Sequence, residues 1–118
     1  MEIVIVSNDA SELDELDALL RESFPVCRIT RFTDPFQTAK YLYDNRADLV
    51  LAAEQLKPPS GTQLMRVLRA HDPQLPVVIL SEDDALRQSA RDAGADGFIV
   101  KPVTRQKLTE LSELLASA

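Results

Sequence analysis

Side chains that could carry out chemistry cluster at the ends of the short apolar runs in this sequence. The runs are "IVIV", "DLVLAA", "PVVIL" and "GFIV", and hydroxyl, amide, carboxylate or amine groups stand at or after each end. These groups belong to Ser7, Asn8, Asp9, Glu54, Ser81, Glu82 and Lys101. Ligands of an open α/β sheet bind at the carboxyl ends of its strands, so this edge is the candidate site. The run "DLVLAA", however, ends in Ala53, which has no reactive group.

Several enzyme classes lack their sequence signals. The segment "SNDASEL" contains no glycine, which argues against a dinucleotide site or a P-loop. His71 is the only histidine and has no metal-ligand partner at a suitable spacing, so an exposed position at a helix end is expected. Cys27, the only cysteine, is expected to be a small half-buried apolar residue. No nucleophile–base pair is visible, and the sequence predicts neither enzymatic activity nor a cofactor.

The elements that must position these groups follow from the apolar patterning. Five strand–helix units are predicted, which favours a parallel sheet covered by helices on both faces. The predicted strands are 3–6, 27–32, 49–53, 76–80 and 97–100. The first helix is expected to begin at Ser11 and the fourth at Ser81, each with an aspartate three residues later as in a capping box.

The remaining helices are expected to begin at Asp34-Pro35, after Gly61 and near Thr104. Helical spacing also predicts which side chains are buried. The expected stripes are Phe36, Ala39 and Tyr43 in the second helix, Leu64, Val67 and Leu68 in the third, and Leu108, Leu111, Leu114 and Leu115 in the fifth.

Composition is that of one globular domain. The chain has 118 residues, of which 45% are hydrophobic, and its net charge of −6 argues against direct nucleic-acid binding. The N-terminal segment has no basic region and only a short apolar run, so it predicts neither a signal peptide nor a membrane span. A cytoplasmic location is expected.

The order of these segments resembles the receiver domain of bacterial response regulators, the chemotaxis-regulator-like family. The matching segments are "IVIVSND", "DLVLAAEQLKPPSG", "LPVVILSE" and "AGADGFIVKPV", and the resemblance covers nearly all 118 residues. It implies a single receiver-like domain over 1–118. The implied fold is α/β and flavodoxin-like, a (βα)5 three-layer sandwich whose five-stranded parallel sheet has strand order 2-1-3-4-5.

The residues that carry the family's chemistry are replaced. Receivers have two adjacent acidic residues after the first strand and a phospho-accepting aspartate at the end of the third; here Ser7 and Asn8 hold the first positions and Ala53 the last. Alanine cannot be phosphorylated, and Mg²⁺ prefers charged oxygen ligands. The resemblance therefore implies a pseudo-receiver in two-component signal transduction that acts without phosphorylation, with Mg²⁺ binding weak or absent.

Other family positions are retained. Ser81 matches the hydroxyl residue after the fourth strand, although a helix-capping role is favoured for it. Phe98 matches an aromatic residue that moves on activation, and it can equally be a packing residue. Lys101 matches the lysine that reaches the phosphoryl group, and in the family the bond before the residue matched by Pro102 is commonly cis.

Two carboxylates leave an alternative open, a phosphorylatable receiver that uses Glu54 or Asp9 with Mg²⁺. Each lies one residue beyond a replaced position, and a one-residue step along a strand turns the side chain to the other face. Both are expected to be solvated loop carboxylates. A further hypothesis is that one of them pairs with Lys101 and holds one conformation, and a small-molecule site in the strand-end cleft is a third possibility.

The fourth helix, fifth strand and fifth helix form the usual contact surface of receivers. Arg87, Arg91, Asp96, Lys101 and Lys107 would give this face mixed charge. The resemblance implies that a protein partner or an output domain binds there, or that the face forms a homodimer, with no nucleic acid or membrane as partner.

Overall fold

Five parallel strands form one sheet in the order β2-β1-β3-β4-β5. The computed structural model describes residues 1–116, with side-chain environments up to residue 113. The strands are β1 Glu2–Val6, β2 Arg28–Phe32, β3 Leu49–Ala53, β4 Val77–Ser81 and β5 Gly97–Val100. The predicted fold class and strand order are confirmed, although β2 and β4 each begin one residue later than expected.

The helices cover both faces of the sheet. They are α1 Ala10–Ser23, α2 Pro35–Asp44, α3 Gly61–His71, α4 Arg87–Asp92 and α5 Arg105–Ala116, with a 3-10 turn, Asp84–Leu86, before α4. Leucines of α1 and α5 share one apolar cluster, and apolar residues of α2, α3 and α4 share the other. The sheet therefore separates an α1/α5 layer from an α2/α3/α4 layer, as in a three-layer sandwich.

Strand side chains alternate strictly between these two layers. In β3, Leu49 and Leu51 pack in the α1/α5 cluster, whereas Val50 and Ala52 pack in the other. This period of two determines which layer the first residue after each strand faces. It is the reason that Ala53 and Glu54 have different surroundings.

Two helix starts differ from the prediction. Asp9, and not Ser11, caps α1, since its carboxylate accepts the Ser11 backbone N–H at 2.9 Å. Asp83 caps the turn before α4, and Ser81 is instead the last residue of β4. In both cases an aspartate two residues from the predicted serine has the extended backbone that a cap requires.

The buried stripe of α2 is also different from the expected one. Phe36 and Tyr43 are 68% and 69% exposed, whereas Pro35, Thr38 and Leu42 are buried. In α3, Leu64, Met65 and Leu68 are buried, and Val67 is exposed. The predicted burial of Leu64 and Leu68 is therefore confirmed and that of Val67 is wrong, whereas in α2 only Ala39 of the predicted stripe packs against the core.

In α5, Leu108 and Leu111 are buried as predicted. The expected burial of Leu114 and Leu115 lies outside the described side chains.

Candidate functional site

The end of β3 provides no group that can be phosphorylated. Ala53 is 1% exposed, and α3 begins directly against it. A Cβ atom added to Gly61 would lie 2.4 Å from the Ala53 carbonyl oxygen, so only glycine allows this close approach. The backbone frame around the acceptor position is thus tightly packed while its side chain is a methyl group.

Ser7 and Asn8 use their polar atoms to hold the loops at this edge. The buried Ser7 hydroxyl accepts the Asp9 N–H at 3.1 Å. The Asn8 amide donates to the Thr33 carbonyl at 2.8 Å, and its oxygen accepts the Lys57 N–H at 2.6 Å. Asn8 therefore joins three connections, those that follow β1, β2 and β3.

The side-chain oxygens of Ser7 and Asn8 do not fit a Mg²⁺ site. Both Ser7 and Asn8 offer neutral oxygens that already accept hydrogen bonds, whereas octahedral Mg²⁺ sites usually include one or two carboxylates. Among residues 1–116, no group of three or more His, Cys, Asp or Glu side chains is arranged to hold a metal ion.

Asp9 and Glu54 are engaged at the starts of two helices. Asp9 caps α1, and the Glu54 carboxylate accepts both the backbone N–H of Thr62, at 3.2 Å, and the Thr62 hydroxyl. Glu54 therefore faces α3, in the layer opposite to the one that Ala53 faces by strand alternation. The prediction that a one-residue step turns Glu54 away is confirmed, but the carboxylate is hydrogen-bonded rather than simply solvated.

Lys101 pairs with a residue that the sequence did not indicate. Its ammonium lies 2.7 Å from Glu12 Oε2 on the first turn of α1, and the two side chains are only 16% and 19% exposed. The hypothesis that Glu54 or Asp9 pairs with Lys101 is therefore wrong. Both of those carboxylates accept backbone N–H groups at helix starts, and Glu12 is the carboxylate that pairs with Lys101.

Ser81 closes the cleft from the β4 side. It is fully buried, and its hydroxyl accepts the Asp83 N–H at 3.0 Å and the Gln55 side-chain N–H at 3.2 Å. Gln55 comes from the connection after β3, so this contact ties that connection to the end of β4. Together, the Gln55–Ser81 and Asn8 hydrogen bonds join the connections at the carboxyl edge of the sheet to one another.

Phe98 and Pro102 complete the retained positions. The Arg87 guanidinium lies 5.1 Å from the centre of the half-buried Phe98 ring and donates to the Phe98 carbonyl. The Lys101–Pro102 peptide bond is cis, as the family resemblance implies. Phe98 is thus a packing residue in this conformation.

All the predicted contact residues except Lys101 line one groove of about 300 Å³ between α4, β5 and α5. Arg87, Arg91, Asp96 and Lys107 all border it. Asp96 is already engaged, because its carboxylate pairs with Arg69 of α3 and accepts the Val77 N–H at 2.8 Å. Of the cations, Arg87 pairs with Asp84 and the Lys107 ammonium donates to the Val100 and Pro102 carbonyls, so the exposed Arg91 is the one most available to a partner.

Three residues at the carboxyl edge of the sheet contact predicted site residues but were not predicted as site residues from the sequence. Glu12, Gln55 and Thr62 contact Lys101, Ser81 and Glu54 respectively. Glu12 carried a usable signal, because an acid in the first turn of a helix after β1 lies at the carboxyl edge of the sheet. Gln55 and Thr62 carried none, since their contacts depend on how the loop after β3 folds.

No helix within residues 1–116 is long and apolar enough to cross a membrane.

The fold matches solved receiver structures. The receiver domain of the sensor histidine kinase PA1611 from Pseudomonas aeruginosa, solved with a magnesium ion coordinated in its active-site cleft, superposes with a TM-score of 0.85 at 22% identity. The match covers 99% of this chain and 98% of that one. At this identity the likeness establishes the fold alone.

Sequence relatives are longer proteins. The cyclic di-GMP phosphodiesterase response regulator RpfG of Xanthomonas campestris is 27% identical over 113 residues, 92% of this chain and 30% of RpfG. A protein-glutamate methylesterase/protein-glutamine glutaminase of Rhodopseudomonas palustris is 34% identical over 122 residues, 98% of this chain and 33% of that protein. The chain thus spans about a third of the length of these two relatives.

The family model of the response regulator receiver domain matches residues 3–113, nearly the whole chain. This match and the five-stranded sheet order agree with the segments that first indicated the resemblance. The chain belongs to the response regulator receiver domain family.

Proposed function

We propose that this chain is a pseudo-receiver, a receiver domain that acts through protein–protein contacts and is not phosphorylated. The observation that carries the proposal is Ala53 at the acceptor position, with Ser7 and Asn8 in place of the acidic pair. A receiver needs a nucleophilic carboxylate and charged ligands for Mg²⁺. Both requirements fail at the same edge, so a single compensating residue would not restore the reaction.

The alternative acceptors are poorly arranged for phosphotransfer. Glu54 holds the Thr62 N–H and hydroxyl, and Asp9 caps α1. Either carboxylate would have to abandon these hydrogen bonds to attack a phosphoryl donor. Neither forms an ion pair with the retained Lys101, whose ammonium is bound to Glu12. These contacts favour the pseudo-receiver over a phosphorylatable receiver with a non-standard carboxylate.

The groove between α4, β5 and α5 is the proposed contact surface. Arg87, Arg91 and Lys107 place three cations around a partly apolar floor that includes Phe98 and Leu111. Interfaces of this kind commonly combine arginine and aromatic contacts. We expect a protein partner, an output domain or a second copy of the chain to bind there.

Exposure to a phosphoryl donor tests the proposal. The chain is incubated with Mg²⁺ and acetyl phosphate, and its intact mass is measured, with a phosphorylatable receiver treated in parallel to verify the donor. We expect no covalent phosphoryl adduct on this chain. An adduct that disappears in Glu54→Gln or Asp9→Asn would instead establish the phosphorylatable alternative.

The contact surface is tested separately by charge reversal. Arg91→Glu changes an exposed residue of the groove, and Arg66→Glu on the exposed side of α3 is the matched control. If the groove forms a homodimer, sedimentation velocity will show weaker self-association for Arg91→Glu only. Equal weakening by both variants would contradict this surface as the site of self-association.

A further inference from the structure

We propose that the Glu12–Lys101 ion pair takes the place of the phosphoryl contact and holds the α4/β5/α5 face in one conformation. This inference rests on the proposed function, since it concerns the regulation of that contact surface. In it, Glu12 and Lys101 are positioning residues: neither touches a partner, and both fix the segment that presents the groove.

The Glu12–Lys101 ion pair is shielded from water, so its charges interact more strongly than those of an exposed pair. Its two side chains are 16% and 19% exposed and lie 2.7 Å apart, although 89 residues separate them in the chain. The second carboxylate oxygen of Glu12, Oε1, is buried and has no hydrogen-bond partner among the described residues. Lys101 is therefore the main compensation for a buried negative charge, and a buried charge without compensation is strongly unfavourable.

Lys101 connects this contact to the end of the sheet. It follows β5 directly, and its backbone N–H donates to the Ser81 carbonyl at 2.9 Å, at the end of β4. Its backbone thus extends the β4–β5 pairing while its side chain crosses to α1. Moving this side chain would displace the start of the β5–α5 connection.

A second lysine holds the same connection from the groove side. The Lys107 ammonium donates to the carbonyls of Val100, at 2.6 Å, and Pro102, at 3.0 Å. Lys107 and Val100 both line the groove between α4, β5 and α5. The connection is therefore fixed on one side by Glu12 through Lys101 and on the other by Lys107, so release of the first contact is transmitted to groove residues.

The chain contains a matched control for this pair. Glu22 and Arg105 lie 2.6 Å apart and join α1 to the first residue of α5, but their side chains are 52% and 70% exposed. Exposed ion pairs contribute little because water and salt screen them. Loss of the Glu22–Arg105 pair also removes an ion pair between α1 and the C-terminal part of the chain, but at an exposed site.

Hydrogen–deuterium exchange on the full chain, without Mg²⁺ or any phosphoryl donor, tests the proposal. Glu12→Gln and Lys101→Met are compared with Glu22→Gln, and Lys101→Arg serves as the rescue variant because it keeps the charge. We expect roughly tenfold faster amide exchange over residues 99–108 in the first two variants, with α2 and α3 little changed. Glu22→Gln and Lys101→Arg are expected to exchange within about twofold of the original chain.

Two results would overturn the proposal. One is unchanged exchange over residues 99–108 in Glu12→Gln, which would mean that the pair does not hold the connection. The other is faster exchange spread evenly over all elements, which would mean that the pair stabilises the domain as a whole. Neither result shows whether another residue can be phosphorylated in place of Ala53. The exchange experiment can therefore overturn this proposal without overturning the proposed function, and the phosphoryl-donor experiment can do the reverse.

Discussion

At the scale of single residues, the candidate site keeps the backbone frame of a receiver, and under the proposed function it lacks the reactive groups. Gly61 lies so close to the Ala53 carbonyl that a residue with a Cβ atom would not fit, and Lys101 precedes a cis proline. The residues that would carry charge at the reaction centre are instead an alanine, a serine and an asparagine. Asn8 has a structural role, because its amide joins three loops.

Restoring the acceptor alone should not restore the reaction. We predict that Ala53→Asp gains no phosphoryl adduct with Mg²⁺ and acetyl phosphate, because Ser7 and Asn8 still provide only neutral, engaged oxygens. A carboxylate at this buried position should also lower the free energy of unfolding by about 1–3 kcal/mol. Intact mass and urea denaturation measure the two effects, and stoichiometric phosphorylation of Ala53→Asp would contradict the account.

At the scale of elements, the sequence predicted the existence and order of the strands and helices but not the details of the helices. The apolar runs of β1, β3 and β4 are unambiguous because these strands are buried on both faces in a parallel sheet, whereas β2 and β5 lie at the edges and are only partly buried. Helix caps were misassigned because an aspartate and a serine two residues apart are both good caps, and only the backbone conformation decides between them. The α2 stripe was misassigned because Phe36 and Tyr43 are apolar by type yet face solvent.

The cap of α1 can be tested with a pair of variants. Asp9→Ala should lower the free energy of unfolding by about 1 kcal/mol, because it leaves a helix-start N–H without its acceptor. Ser11→Ala should change it by less than about 0.5 kcal/mol, since Ser11 is an exposed residue inside the helix. Urea denaturation of both variants measures these changes. A larger loss of unfolding free energy for Ser11→Ala than for Asp9→Ala would identify Ser11 as the cap of α1.

The buried face of α2 gives a second comparison. Leu42 is 8% exposed and packs in the α2/α3/α4 cluster, so Leu42→Ala should cost about 2–4 kcal/mol. Tyr43→Ala removes a larger side chain that is 69% exposed, and should cost less than about 1 kcal/mol. Thermal or urea unfolding of the two variants measures the loss of unfolding free energy in each. Equal losses in the two variants would show that Tyr43 contributes to the core.

At the scale of the whole molecule, fold and chemistry have separate determinants in this chain. The fold follows from apolar strands and glycine or proline positions distributed along the entire sequence, which is why it could be predicted. The site depends on contacts between distant segments, such as Glu12 with Lys101 and Gln55 with Ser81, whose partners are 89 and 26 residues apart. The first-turn position of Glu12 places it at this edge of the sheet, but no local pattern identifies it as the partner of Lys101 in preference to Asp9 or Glu54.

The same separation explains how a receiver can persist as a contact module. The groove between α4, β5 and α5 is formed by backbone and side chains that do not require a phosphoryl group. A conformational equilibrium can be shifted only by a ligand with different affinity for the two states. Under the proposed function, the partner itself is the ligand that would shift this equilibrium.

The most direct test of the central claim is an amide NMR titration with Mg²⁺ and beryllofluoride, which mimics the phosphoryl group. The account predicts that the signals of Ala53, Phe98 and Lys101 do not move beyond the effect of ionic strength, because the edge lacks both the acceptor and the metal ligands. Saturable, Mg²⁺-dependent shifts at these residues would contradict it and show that the chain remains a working receiver.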